Sequence, residues 1–325
     1  MSPADEEIDR GAVTARKNML RVDRLAQAEL AAEGMAVPPP VATGTDFLAE
    51  PDADAAYRID QVWPAGGNIL CAAQAKAGKT TVVTNLLRSL CDGDPLFGRF
   101  RVDPPEGSVF LIDVEMPRDQ ARGWIRAQGI RKTDRFTYQP LRGAASSFNI
   151  TVPAIRRKWA ARIADAGAGV IILDPLGPVL AAIGLDENSG ADVGSFLDGA
   201  LGELLAESGA SEAVVIHHMG HAAERSRGTS RLRGWPDAEW LLVRQDDEPG
   251  SERYFKAYGR DVDVAERRLD YDPVTRALTI AGGSRRQAKS AAALADLVRV
   301  VTAQPGINAR AIEEALRTRH GHTLH

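Results

Sequence analysis

Residues 68–90, NILCAAQAKAGKTTVVTNLLRSL, constrain the fold of this chain more than any other stretch. A short apolar run (68–73) leads into a turn of small residues that ends in Gly78-Lys79-Thr80. The apolar spacing from Lys79 to about Cys91 then reads as a helix. A strand that hands over to a helix through such a turn aims backbone N–H groups and the positive end of the helix at one spot. That arrangement holds phosphate groups. The pattern G-x-x-x-x-G-K-[ST] would open with glycine at position 73, where this chain has Ala73. The position asks for a small residue at the strand exit, and alanine serves if its φ stays negative. Ala73, Lys76, Ala77, Gly78, Lys79, Thr80 and Thr81 are therefore candidate nucleotide contacts. Lys79 is placed to reach the β- and γ-phosphates of ATP, and the Thr80 hydroxyl to hold Mg2+. Lys76 either adds charge near the phosphates or is plainly solvated.

The rest of the chain repeats strand and helix from about residue 49 to 283. SVFLIDVE (108–115) reads as a strand and RDQARGWIRAQG as a helix. IRRKWAARIADAG is helical, GVIILDPL (169–176) a strand, VGSFLDGALGELLAES helical and AVVIHH (213–218) a strand. This alternation predicts an α/β fold with a mostly parallel central sheet flanked by helices. The continuous apolar runs fit strands covered on both faces. After residue 236 helical patterns stop, and AEWLLVRQ, RYFKAYGR, ERRLDYD and RALTIAG read as strands and hairpins extending the sheet. Residues 1–48 form an N-terminal helical arm with a thin apolar face (Met19, Val22, Leu25, Ala26, Leu30), stopped by Pro38-Pro39-Pro40. Residues 284–325 form a small C-terminal helical segment with seven Lys/Arg against three Asp/Glu. It begins a partial helix-turn-helix or winged-helix pattern, or is a solvated hairpin.

Five groups supply chemistry around the loop. Asp174 ends an apolar strand, where a carboxylate can join Thr80 in positioning Mg2+. Asp113 and Glu115, two apart on one expected strand, offer a base that orients and deprotonates water. Glu115 lies further out and is the candidate, with Asp113 in support. VVIHHMGH carries His217, His218 and His221 of the chain's six histidines. No cysteine lies near, and adjacent strand residues face opposite ways, so a metal site is disfavoured. His218 instead faces the γ-phosphate and senses it. The stretch HAAERSRGTSRLRGW sets Arg225, Arg227, Arg231 and Arg233 against Glu224. It reads as a mobile loop that is either solvated or contacts the phosphates of single-stranded nucleic acid. Lys256 and Arg260, four apart on or beside a late strand, are an ordinary surface pair or an arginine finger for a neighbouring ATP site.

The net charge of −4 gives no global basic field, so nucleic acid would need a local patch. Cys71 and Cys91 are too few for a disulfide framework and read as core residues. The acidic start, MSPADEEIDR, suits neither a signal nor a transit peptide, and no apolar run is long enough to span a membrane. A cytoplasmic protein without a membrane partner is the expectation.

Taken together, AAQAKAGKTT, DVEMPRDQARGWIRA, IILDPLGPVL, GLDENSGADVGSFLDGAL and HHMGHAAERSRGTSRLRGWPDAEW resemble the RecA-like hexameric P-loop ATPases. Within these the likeness is to the RepA-type branch of plasmid and phage replicative DNA helicases, and it spans about residues 45–283. Glu115 falls on that family's catalytic glutamate, and His217-His218 on its His-His sensor. The resemblance implies a homo-oligomeric ring with ATP between subunits. It implies channel loops, here about 177–195 and 221–234, that grip single-stranded DNA, with other replication proteins as partners. Ala73 departs from the pattern, and Lys256 and Arg260 lie further apart than the finger pair of DnaB-type relatives. A non-unwinding RecA-like ATPase (recombination mediator, helicase loader or regulatory switch) is the alternative on the same fold. A nucleic-acid-binding scaffold with a degenerate ATP site is the third reading, motivated by Ala73.

Overall fold

The computed structural model describes residues 10–33, 40–51, 57–74, 76–219, 230–246, 248 and 250–320. The chain divides into two units, Met1–Ala53 and Asp54–His325. In the first, α1 (Arg10–Glu33) leaves Met19, Val22 and Leu25 exposed. Thr43 caps the short α2 (Gly44–Ala49) by accepting a hydrogen bond from the Asp46 backbone N–H at 3.2 Å. Pro38 and Pro39 of the expected linker lie outside the described residues.

The second unit opens with a two-stranded ribbon, β1 (Tyr57–Ile59) and β2 (Trp63–Pro64). Its main elements follow as β3 (Ile69–Ala73), α3 (Lys79–Asp92), β4 (Ser108–Asp113), α4 (Arg118–Ala127), β5 (Phe136–Pro140), α5 (Pro153–Asp165) and β6 (Ala168–Asp174). Next come α6 (Leu176–Ala182), α7 (Gly190–Gly194), a π-helical stretch over Ser195–Leu201, α8 (Gly202–Ser208), β7 (Glu212–His218) and α9 (Ser230–Gly234). The chain continues through β8 (Ala238–Arg244), β9 (Arg253–Gly259), β10 (Val262–Tyr271), β11 (Leu278–Gly282), α10 (Arg285–Ala303) and α11 (Ala309–His320).

Nine strands form one sheet in the order β11-β10-β9-β8-β3-β7-β6-β4-β5. The pairs from β8 to β5 are parallel, and those from β8 to β11 are antiparallel. The parallel strands are apolar on both faces, and period-two alternation deals their residues to two cores. Ile69, Val109, Leu111, Val170, Ile172, Val214 and Ile216 pack on one face with Val82, Leu86 and Leu90 of α3. Leu70, Phe110, Ile112, Ile171, Leu173 and Val215 pack on the other with Trp159 of α5, Val179 of α6 and Leu204 of α8. Cys71 and Cys91 are free and buried in the first core. Burial pushes both thiols up to about 12. This is an α/β architecture with a mostly parallel central sheet flanked by helices: β3 lies at the centre, and β7 separates it from β6, the strand that carries Asp174.

The structure differs from the sequence expectations at four points. The second strand stops at Asp113, so Glu115 lies beyond it and shares no strand face with Asp113. The stop is chemical: Asp113 Oδ1 accepts the backbone N–H groups of Glu115 and Met116, both at 2.9 Å, and turns the chain. Second, part of the expected loop is the helix α9, anchored by the buried Leu232. Third, β9 ends at Gly259, so Arg260 lies in the following turn and shares no strand with Lys256. Last, the edge strand β5 and the helix α6 had no strong periodic signal and were not anticipated.

At the sheet end opposite the loop, Glu212 is fully buried yet charged in character. Arg58 Nε donates to its Oε2 at 2.8 Å, and the Gly66 N–H donates to Oε1 at 2.7 Å. Removing one partner of a buried pair leaves an uncompensated charge. Arg58→Ala should destabilise the protein by about 3–5 kcal/mol in urea unfolding. Glu212→Gln, which removes the fully buried charge and leaves Arg58 3.7 Å from Asp103, should cost clearly less.

Candidate nucleotide site

The site starts from the turn between β3 and α3. Ala73 is fully buried at the end of β3, opposite His218 on one side and Leu242 on the other. It is not among the residues of positive φ, so its methyl group meets no backbone penalty. The left-handed positions fall later, at Lys76 (φ 60°) and Gly78 (φ 106°). Gln74 closes the turn: its carbonyl accepts the Ala77 N–H at 3.1 Å, and its Oε1 accepts the Arg244 N–H at 2.8 Å. Gly78 is the N-cap of α3, with no side chain capping the helix and no acidic residue in its first turn. The first N–H groups of α3 are thus left for an anion. Lys76 is exposed, Ala77 and Thr81 are buried, and Lys79 and Thr80 are half-buried.

Three candidate side chains, from α3, from β7 and from the turn after β4, meet beside this turn. Lys79 Nζ lies 2.8 Å from His218 Nδ1, and His218 Nε2 lies 3.5 Å from Glu115 Oε1. An ammonium group only donates, so Nδ1 accepts and the ring proton sits on Nε2, facing Glu115. Burial lowers the Lys79 pKa, and the charges of Glu115 and Asp174 oppose that shift. The contact with His218 holds the Glu115 carboxyl below its usual range, against partial burial. His217 points the other way and is fully buried.

Asp174 is buried at the end of β6, opposite Asp113 in the register with β4. Burial raises its pKa to about 7, and the charges of Asp113 and Glu115 add to the rise. Asp113 is itself held by the two N–H groups of its turn and by Tyr138 Oη, which donates to Oδ2 at 3.0 Å. Tyr138 comes from the unanticipated β5, and its phenol is pushed well above its ordinary range by burial and by Asp113. Thr80, Asp113, Asp174 and Tyr138 line one small cavity. Its hydroxyl and carboxylate oxygens suit a hard cation such as Mg2+, and a carboxylate penalised by burial and by its neighbours would be relieved by one. The donor set therefore fits Mg2+ held by Thr80 and Asp174 together with nucleotide phosphates. Among the described residues no group of three or more His, Cys, Asp or Glu is arranged to hold a metal alone.

The chain thus brings together Ala73, Lys76, Ala77, Gly78, Lys79, Thr80, Thr81, Glu115, Asp174 and His218. Lys256 lies half-buried in mid-strand opposite Leu241. Arg260 is 83% exposed and pairs with Asp237 at 3.6 Å, at the sheet end away from the loop. Arg231 and Arg233 sit on α9, with Arg231 Nε donating to Asp198 Oδ2 at 2.8 Å. His221, Arg225 and Arg227 lie outside the described residues. Residues that sequence reasoning missed include Tyr138, Gln74 and Arg253, whose roles depend on contacts between strands distant in sequence.

The pattern of the family described as AAA domain matches residues 36–224. The chain belongs to the AAA domain family. It is a P-loop ATPase, and such ATPases typically bind ATP with Mg2+. Among solved structures it is similar to a KaiC-like protein from the hyperthermophilic archaeon Pyrococcus horikoshii OT3. That likeness is 12% in sequence, covers 69% of this chain and 93% of that one, and has a TM-score of 0.49. No curated protein matches the chain. No helix among the described residues is long and apolar enough to cross a membrane.

The raised pKa of Asp174 fixes the sign of a stability change. The folded state keeps this proton up to about pH 7, whereas an unfolded aspartate releases it near its ordinary value of 3.8. Stability from this group is therefore full at low pH and declines as pH rises between those values. Asp174→Asn removes the penalty. The nucleotide-free variant should melt higher than wild type at pH 8, with the gain shrinking as pH falls toward 5. Calorimetric melting across that range checks it.

Proposed function

We propose that the protein is an ATP-driven translocase or helicase that acts on single-stranded DNA as a homo-oligomeric ring, in company with other replication proteins. The observation that carries the reading is the Lys79–His218–Glu115 chain of contacts, which joins a phosphate-binding lysine to a candidate base. In this reading Lys79 moves from His218 to the γ-phosphate when ATP arrives. His218 is then free to report the phosphate along β7 toward the following loop. Glu115, held ionised by its surroundings, orients water and takes its proton. Bound Mg2+ supplies charge neutralisation at the phosphates, and Thr80 and Asp174 are the residues that would hold it.

The DNA part of the reading is supported by α9. The Arg231–Asp198 ion pair ties this helix to the π-helical stretch, and Leu232 packs beneath it in the second core. A Cβ on Gly194 would lie 3.3 Å from Arg231 Nε, so the described parts of the two segments that the family resemblance assigns to the channel are neighbours, and Arg225, Arg227, Arg231 and Arg233 are the proposed DNA contacts. Arg260 points away from its own loop, so a finger role for it, or for Lys256, would serve a neighbouring subunit. A non-unwinding ATP switch is the second reading. It is favoured by Asp198, which sets negative charge beside Arg231.

An ATPase assay with and without single-stranded DNA, on a sample whose mass is measured in solution, tests the proposal. Turnover should rise with DNA and belong to an oligomer. Lys79→Ala and Glu115→Gln should each nearly abolish it. Arg260→Ala should lower it by about 10³-fold or more if Arg260 is the finger. Hydrolysis by a monomer, unaffected by DNA, would transfer the assignment to the switch.

A further inference from the structure

Arg253 opens β9 opposite Arg244, the residue whose backbone N–H is tied to Gln74 in the loop. This register brings the Arg253 side chain against the phosphate-binding turn. A Cβ built on Gly78 would lie 3.5 Å from Arg253 Nε and 3.6 Å from Thr81 Oγ1. The guanidinium is stacked over the Tyr271 ring, 5.0 Å from its centroid. Its Nε is buried and has no hydrogen-bond partner among the described residues. The nearby carboxylate of Glu252 is engaged elsewhere, by Tyr254 at 2.6 Å and by Arg268 at 2.8 Å.

A buried, unsatisfied donor on a cation is costly, and arginine forks fit phosphate oxygens. The cost makes sense where the missing acceptor arrives with a ligand. Here the cation flanks the uncapped start of α3, where an anion is expected. The stack on Tyr271 fixes the guanidinium plane and leaves its edge free to donate. We propose that Arg253 is a phosphate ligand of the bound nucleotide, supplied by the same subunit that carries the loop, and that it contacts the diphosphate portion beside Gly78 and Thr81. The assignment rests on the nucleotide-site reading and adds a cation that motif reading does not reach. It is distinct from a finger, because it serves its own chain's loop.

Titration calorimetry of the full chain with Mg-ATP, Mg-ADP and adenosine tests it. Arg253→Gln should weaken ATP and ADP by about 10- to 100-fold, the range of a lost charge-assisted hydrogen bond, and leave adenosine unchanged. Arg253→Lys, which keeps the charge but not the fork, should fall between the two. Melting of the nucleotide-free variants checks the fold, and if Arg253→Gln melts early the decision passes to Arg253→Lys. ADP affinity within about twofold of wild type in both variants would overturn the assignment while leaving the nucleotide site intact. An equal loss for adenosine would also overturn it, since that would mark a structural or base-binding role. A wild-type chain that binds neither ATP nor ADP would overturn the site reading and this inference together.

Discussion

The complete burial of β3 is the constraint on which the molecule turns. Ile69 to Ala73 have almost no exposed surface, and parallel neighbours flank them on both sides. A strand this enclosed can leave the sheet only through residues small enough to turn at once, which is the chemistry of 73–78. The same enclosure fixes where His218 emerges, since it stands beside Ala73 in the register with β7. It also sets the level of Gln74 and Arg244 on the other side. Phosphate loop, histidine and flanking arginine are thus positioned by one set of backbone ladders, with little left to side-chain packing.

Electrostatics then decides what this frame holds. Three acidic groups, Asp113, Glu115 and Asp174, share a small region with a single half-buried lysine. They are handled in three ways. Asp113 is satisfied by backbone N–H groups and a phenol. Glu115 is satisfied by His218 and solvent, and it stays easily ionised. Asp174 has neither remedy and takes a raised pKa. The site is therefore destabilising to the empty fold at neutral pH, and a divalent cation with a polyphosphate would remove the imbalance. Such sites commonly trade stability for function.

Much of this was legible in the sequence because the signals were local. Gly78-Lys79-Thr80 after an apolar run, Asp174 at the end of another, and the paired histidines all announce themselves within a few residues. Glu115 was identified for its place in the chain, although the strand expected to carry it ends two residues earlier. There the competing principle was an aspartate's capacity to bond the N–H groups that follow it, which breaks the strand. β5 escaped notice because FTYQP is only half-buried and carries a proline, as suits an edge strand. Arg253 and Tyr138 were illegible for a different reason. Nothing near them in sequence bears on phosphate or metal, and only the register of β9 on β8, and of β5 on β4, brings them to the loop.

That register also dictates an order of events during synthesis. β3 is made early, yet Asn68 at its entrance is held by residues 145 and 169 positions later, Ala213 and Asp237. Closing such spans is entropically demanding, and non-local parallel pairing is slow. The phosphate loop therefore leaves the ribosome long before the strands that shape it, and it acquires its geometry only once β7 and β8 have emerged. Through that interval the apolar run 68–73 lacks its sheet partners, which makes it a natural client for chaperones.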